Sequence, residues 1–133
     1  MTLESLDSAK KRNTNILCEV VGFSINSYRG NDYQPSQKGI ERSLMNVLNE
    51  AGWAPRDVDL LNGSGIGFKG SDHIEAQAIK NVLGTPESEI KTKDIRQENL
   101  DLKGVEKTSI NGLKGYFGHL MEAAGAVELA ILI

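Results

Sequence analysis

An α/β fold with a mostly parallel sheet is what this sequence predicts, on three observations. Apolar runs of strand length occur at residues 16–23 and 58–61, and residues 105–110, which alternate only weakly, suit a third strand by their position before Asn111-Gly112; each leads toward a segment that reads as a helix. Asn62-Gly63-Ser64-Gly65 and Asn111-Gly112 stand where the second and third runs end and a helix must begin. Strand and helix alternating in this way need crossover connections, which are right-handed and set the strands parallel.

The elements follow in order. Leu3, Leu6 and Ala9 lie at helical spacing in residues 3–12, which predicts a short amphipathic helix ended by Asn13-Thr14-Asn15, within a leading segment 1–15. Residues 16–23, from Ile16 to Phe23, are rich in β-branched and apolar side chains and read as a buried first strand. Cys18 falls inside it and is expected as a small buried thiol, since reactive cysteines favour helix N-termini or basic neighbours. A polar loop with Gly30, Asn31 and Pro35 follows, and then Ile40, Leu44, Val47 and Leu48 mark an amphipathic helix stopped at Ala51-Gly52. After the turn Pro55-Arg56-Asp57, residues 58–61 read as a second strand.

Residues 62–70 hold four glycines in nine positions directly after that strand. A glycine loop ahead of a helix can cradle a phosphate on the helix amides, but the spacing fits neither the dinucleotide fingerprint nor the Walker pattern, so a tight turn is the simpler expectation. The helix beyond it runs to about Leu83, with Ser71 or Asp72 as N-cap and Glu75 completing a capping box on Asp72. Asp72, His73 and Glu75 superficially resemble metal ligands, yet they point in different helical directions and no second cluster exists, so a solvated first turn is expected and no metal or cofactor. Gly84-Thr85-Pro86 ends the helix, and the charged stretch 87–104 reads as an inserted loop without chemistry. A third strand at 105–110 leads to a last helix, 119–133, apolar nearly all round and therefore expected to be buried.

Composition narrows the function. With 133 residues, 39% hydrophobic and 25% charged, the chain has the size of one ordinary domain, 1–133, with a real core. A net charge of -3, with Lys and Arg scattered among acids, leaves no footprint for nucleic acid or an anionic membrane. The start Met1-Thr2-Leu3-Glu4 lacks the pattern of a signal peptide and no apolar stretch reaches the roughly 20 residues a bilayer requires, which points to the cytoplasm. The apolar end at Leu129 to Ile133 carries neither cap nor return strand, so completion by further chain or a partner is expected.

The stretch from Lys114 through His119 to Glu128 places a cation, an imidazole and a carboxylate at a strand-to-helix junction of small and apolar residues, where a solvated surface would not require them. It resembles the "K-S-M-x-G-H-L-x-G-A-A-G-A-V-E" signature of β-ketoacyl-acyl-carrier-protein synthases, condensing enzymes of the thiolase-like superfamily. Two further stretches carry the resemblance. Residues 9–23 are similar to that family's helix leading into an "A-E-V-V-G-F/Y" strand, and Ala51-Gly52-Trp53 through Asn62 to its "A-G … V-D-Y-V-N" approach to the first catalytic histidine.

The resemblance implies a thiolase-like half, a three-layer α-β-α arrangement lacking the last two strands. In that family an acyl chain on a cysteine is joined to malonyl-carrier protein by decarboxylative Claisen condensation, with two histidines as donors to the developing anion. By motif position the resemblance makes His119 the second histidine, Lys114 the lysine and Glu128 its carboxylate partner, and implies acyl carrier protein and acyl thioesters as partners of the complete enzyme. Two departures limit it. The motif "N-A-H-G-T-S-T-P" aligns on residues 62–69 with Ser64 in the histidine's place and Ile66 in that of the first threonine, while Asp72 and Glu75 match. The nucleophilic cysteine belongs to the family's first half, so this chain alone is expected to be inactive.

Three functions are thus expected in descending order: the C-terminal domain of a condensing enzyme, a non-catalytic partner resembling chain-length factors, and a free-standing phosphate-binding α/β domain using the glycine loop. The open sheet and the apolar last helix also predict a homo- or hetero-oligomer.

Overall fold

The computed structural model describes residues 2–27, 34–84 and 108–133. Along them run helices α1 (Leu6–Lys11), α2 (Gln37–Ala51) and α3 (Lys69–Leu83), strands β1 (Leu60–Asn62) and β2 (Ser109–Asn111), the single turn α4 (Lys114–Phe117) and helix α5 (Ala124–Leu132). Tight-helix turns occupy Pro55–Asp57 and Met121–Ala123. The charged stretch 87–104 lies outside the described residues.

α2 forms where the apolar spacing predicts it, and its ends are chemically set. Ser36 Oγ accepts from Gly39 N at 3.2 Å at the N-terminus, and Gly52 closes the C-terminus with φ of 69°, a conformation that costs a side-chain-bearing residue. Leu48 of α2 meets Ile79 and Leu83 of α3, and this core spreads to Leu61 on β1 and Ile110 on β2. Ala76 and Ala78 are buried beside them, small enough for α3 to approach closely. Asn81 on α3 donates to Glu41 on α2 at 2.6 Å, fixing the crossing from the solvent side.

The two strands are parallel, as predicted, with Leu60 opposite Ser109, Leu61 opposite Ile110 and Asn62 opposite Asn111. Buried Thr108 donates its hydroxyl to Val58 O at 2.8 Å and aligns the strand starts. The register matters for chemistry because it ends both strands on asparagines side by side.

Residues 16–23 do not form the expected strand. A strand exists through its ladder, and this segment bonds instead to α2: Phe23 N donates to Glu50 Oε2 at 2.8 Å, and Asn26 Nδ2 donates to Gly39 O at 3.0 Å and to Ser43 Oγ. Gly22 lies so close to α2 that a Cβ there would sit 2.9 Å from Val47 O. Outside a sheet, Leu17, Val20 and Phe23 stay exposed, and Cys18 is an exposed thiol rather than a buried one.

The last helix also departs from expectation. Gly118 (φ 81°) and Met121 (φ 51°) leave the right-handed region, so the helix proper starts at Ala124 rather than at His119. Its sequence is apolar all round, yet only Ala124 and Glu128 are buried on it, and Ile131 is 54% exposed. No described helix is long and apolar enough to cross a membrane.

Candidate active site

The ends of β1 and β2 carry the site. β2 runs into α4, which begins with Lys114, and Gly118 then turns the chain so that α5 brings Glu128 back toward the strand ends. Lys114 Nζ and Glu128 Oε1 are 2.8 Å apart, with both side chains nearly out of solvent. Asn62, the last residue of β1, donates its Nδ2 to Glu128 Oε2 at 2.6 Å. Both carboxylate oxygens are therefore engaged, which a buried charge requires. The hydrogen bond from Lys114 holds the Glu128 carboxyl below its ordinary range; burial opposes this, while the hydrogen bond from Asn62 adds to it.

His119 sits between α4 and the Met121–Ala123 turn, exposed, with its Nδ1 accepting from Met121 N at 3.0 Å. An imidazole that accepts at Nδ1 keeps its ring proton on Nε2, which leaves Nε2–H as a donor toward the open side. That is the polarity needed to stabilise a developing oxyanion or enolate.

Ser64 is exposed in the loop 63–68 after β1. Its main chain is held from α3: Glu75 Oε1 accepts from Ser64 N at 2.6 Å and Oε2 from Gly65 N at 2.9 Å. Gly65 (φ 48°) and Gly67 (φ 82°) supply the positive φ of a tight turn. The two amides that a phosphate would need are thus taken by a carboxylate, which opposes the phosphate-cradle reading electrostatically.

The capping expectation is corrected by the same contact. α3 begins at Lys69 with Phe68 at its N-cap and no side-chain cap, because Glu75 is drawn to the glycine loop instead of back to Asp72. His73 is exposed, whereas Asp72 and Glu75 line one cavity, so the solvated first turn expected for the trio is found for His73 alone.

Of the residues singled out in sequence, Lys114 and Glu128 meet directly, His119 lies on the turn between α4 and α5 and bonds to Met121 N, and Ser64 is bound to Glu75 on α3. Sequence reasoning missed the parts played by Asn62 and Glu75. Their signals were present: an asparagine closing a strand at the glycine loop, and a glutamate one helical turn beyond Ser71. Asn62 Oδ1 and Asn111 Oδ1, at one register position, are both buried without a partner.

The chain is similar to known proteins in sequence and in fold. Residues 17–133 match the family model described as beta-ketoacyl synthase, C-terminal domain. The chain is 30% identical over 135 residues to 3-oxoacyl-[acyl-carrier-protein] synthase 2 of Coxiella burnetii, covering 100% of this chain and 28% of that protein. It is 29% identical over 130 residues to the synthase 2 of Staphylococcus aureus, covering 96% of this chain and 28% of that protein. Among solved structures it is similar to the ishigamide ketosynthase/chain length factor, with a TM-score of 0.75 at 26% identity over 96% of this chain and 27% of that one. A second, a type II PKS acyl-carrier protein in complex with its ketosynthase bound to the hexaketide, has a TM-score of 0.75 at 27% identity over 97% of this chain and 28% of that one. The chain thus spans little more than a quarter of the length of the relatives it matches.

Proposed function

Because the chain belongs to the β-ketoacyl synthase family, as its C-terminal domain, we propose that it contributes Lys114, His119 and Glu128 to the acyl-condensing site of a complete synthase and condenses nothing by itself. The observation that carries this reading is the buried Lys114–Glu128 pair, 2.8 Å long, beside a histidine whose Nδ1 is occupied and whose Nε2 is free to donate. In this role His119 Nε2–H stabilises the enolate formed when a malonyl thioester loses carbon dioxide. Glu128 fixes Lys114 so that its ammonium stays within the site. The attacking carbon then needs an acyl thioester on a cysteine, which the other part of the enzyme supplies.

Acyl carrier protein delivering malonyl and acyl groups is the partner proposed for that complete enzyme, with a cytoplasmic location and an oligomeric assembly. Residues 1–133 act as one domain in it. The test is to incubate the purified chain with acyl- and malonyl-carrier protein, alone and together with a first half that carries the cysteine. Product is expected only from the combination, and turnover by the chain alone would overturn the reading.

A second reading is favoured by Ser64, which cannot give the donor that the family's first histidine gives. In that reading the chain is the non-catalytic partner of a heterodimer and shapes its cavity. The residue that precedes it at the nucleophile position of the first half separates the two: a cysteine supports the enzyme, and a glutamine the partner.

A further inference from the structure

The tight turn Met121–Ala123, between α4 and α5, carries a charge that the proposed site does not use. The signature that residues 114–128 resemble has a glycine at position 122, and here a carboxylate, Glu122, takes its place. The backbone does not ask for glycine there, since the positive φ of this turn falls at Met121 and not at Glu122. Glu122 is exposed and forms no hydrogen bond or ion pair among the described residues. An acid ahead of α5 gains a little from the partial positive charge of the helix end, which accounts for its tolerance and is indifferent to its neighbours. Its neighbour is His119. The ring's Nδ1 accepts from Met121 N at 3.0 Å, and the bonds from that nitrogen to Glu122 Cα add about 6 Å at most. The imidazole therefore lies within about 9 Å of Glu122 Cα, comparable with the roughly 10 Å over which exposed charges act at about 0.1 M salt. Lys114 is already neutralised by Glu128 at 2.8 Å.

We propose that Glu122 is a specificity-determining residue of this site: it admits a neutral acyl thioester to the His119 Nε2–H donor and repels one that ends in a carboxylate, a malonyl thioester above all. The inference rests on the reading above only for the presence of a thioester at His119. Acetyl and malonyl thioesters offer the same carbonyl oxygen to the donor, so the carboxylate alone separates them here. Two unit charges at this distance are worth about 2- to 20-fold in affinity, between the dielectric of water and that of a protein surface. In a complete synthase the consequence is a site that holds acyl groups readily and takes the extending unit slowly.

The test follows the His119 ring signals by NMR while the purified chain is titrated with acetyl-pantetheine and, separately, with malonyl-pantetheine. At about 0.05 M salt the acetyl compound should bind about 2- to 20-fold more tightly, and the gap should close toward about 1 M, where charges more than about 3 Å apart are screened. Glu122→Gln should erase the gap at low salt by raising malonyl affinity alone, and Glu122→Asp should keep it. Equal affinity in the parent protein, a gap that survives Glu122→Gln, or no saturable binding of either compound would each overturn the proposal. If Glu122→Gln does not fold, the salt series on the parent protein decides. No turnover is read, so an inactive assembled synthase leaves this result standing, and a failed titration leaves the condensing role to its own assay.

Discussion

Asn62 Nδ2 donates to Glu128 Oε2 at 2.6 Å across 66 positions of sequence, and so ties the end of β1 to the middle of α5. α5 makes few other contacts with the described core, and its apolar sides are largely exposed. The amide and the Lys114 ammonium are therefore what orient this helix. Asn62→Leu should lower the melting temperature and loosen α5, seen as faster amide exchange from Ala124 onward while the α2 and α3 amides keep their rates. Uniform loss of protection would contradict this.

The Glu128 carboxyl is held below its ordinary value of 4.5, which fixes the sign of a pH effect. A depressed carboxylate contributes stability that is full above the unfolded-state value and disappears as pH falls through the lower folded-state value. Glu41 behaves alike, through hydrogen bonds from Asn81 and Gln37. Thermal melts should therefore be flat above about pH 6 and fall as the medium becomes more acid than the ordinary carboxylate range. Glu128→Gln should flatten the acid limb, and Glu41→Gln should do so independently; an unchanged limb in both would refute the assignment.

Ser64 offers a gain-of-function test. With its main chain already held by Glu75, Ser64→His places an imidazole on a preformed loop. In an assembled synthase that contains the cysteine, condensation should rise about 10² to 10³-fold, the usual worth of one donor to a developing anion. A rate no higher than that of the parent would show that the loop directs this side chain away from the reacting carbon.

The core allows a stability prediction. Ile79 is 4% exposed and touches the center where α2, α3 and the strands meet, so Ile79→Ala should cost about 2 to 4 kcal/mol in chemical denaturation. Gly22→Ala, whose new methyl would lie 2.9 Å from Val47 O, should cost about 1 to 3 kcal/mol by pushing the 16–23 segment off α2. A neutral Gly22→Ala would mean that this segment is free to shift.

How far the sequence could be read follows the range of the interactions involved. α2 and α3 were legible because helical spacing and a Gly52 stop are local. Lys114 and Glu128 were legible only through a motif, since nothing local pairs residues fourteen positions apart across Gly118. Residues 16–23 misled because β-propensity reports what a segment can do beside a partner strand, and here Glu50 on α2 gives Phe23 N another place to bond. The burial expected of Cys18 failed with it. The start of α5 was misplaced because helix propensity says little about positive φ at Met121, which no composition rule anticipates.

The grip of Glu75 on the Ser64 and Gly65 amides has a consequence for how this loop can change over generations. Its shape rests on main-chain N–H groups that every amino acid but proline possesses, and on glycines whose turns involve no side chain. A replacement at position 64 or 66 alters what the loop offers a ligand without asking the backbone to refold. The scaffold can thus lose an imidazole or gain a hydrocarbon one codon at a time, and a domain of this kind can drift between catalyst and companion with its architecture intact.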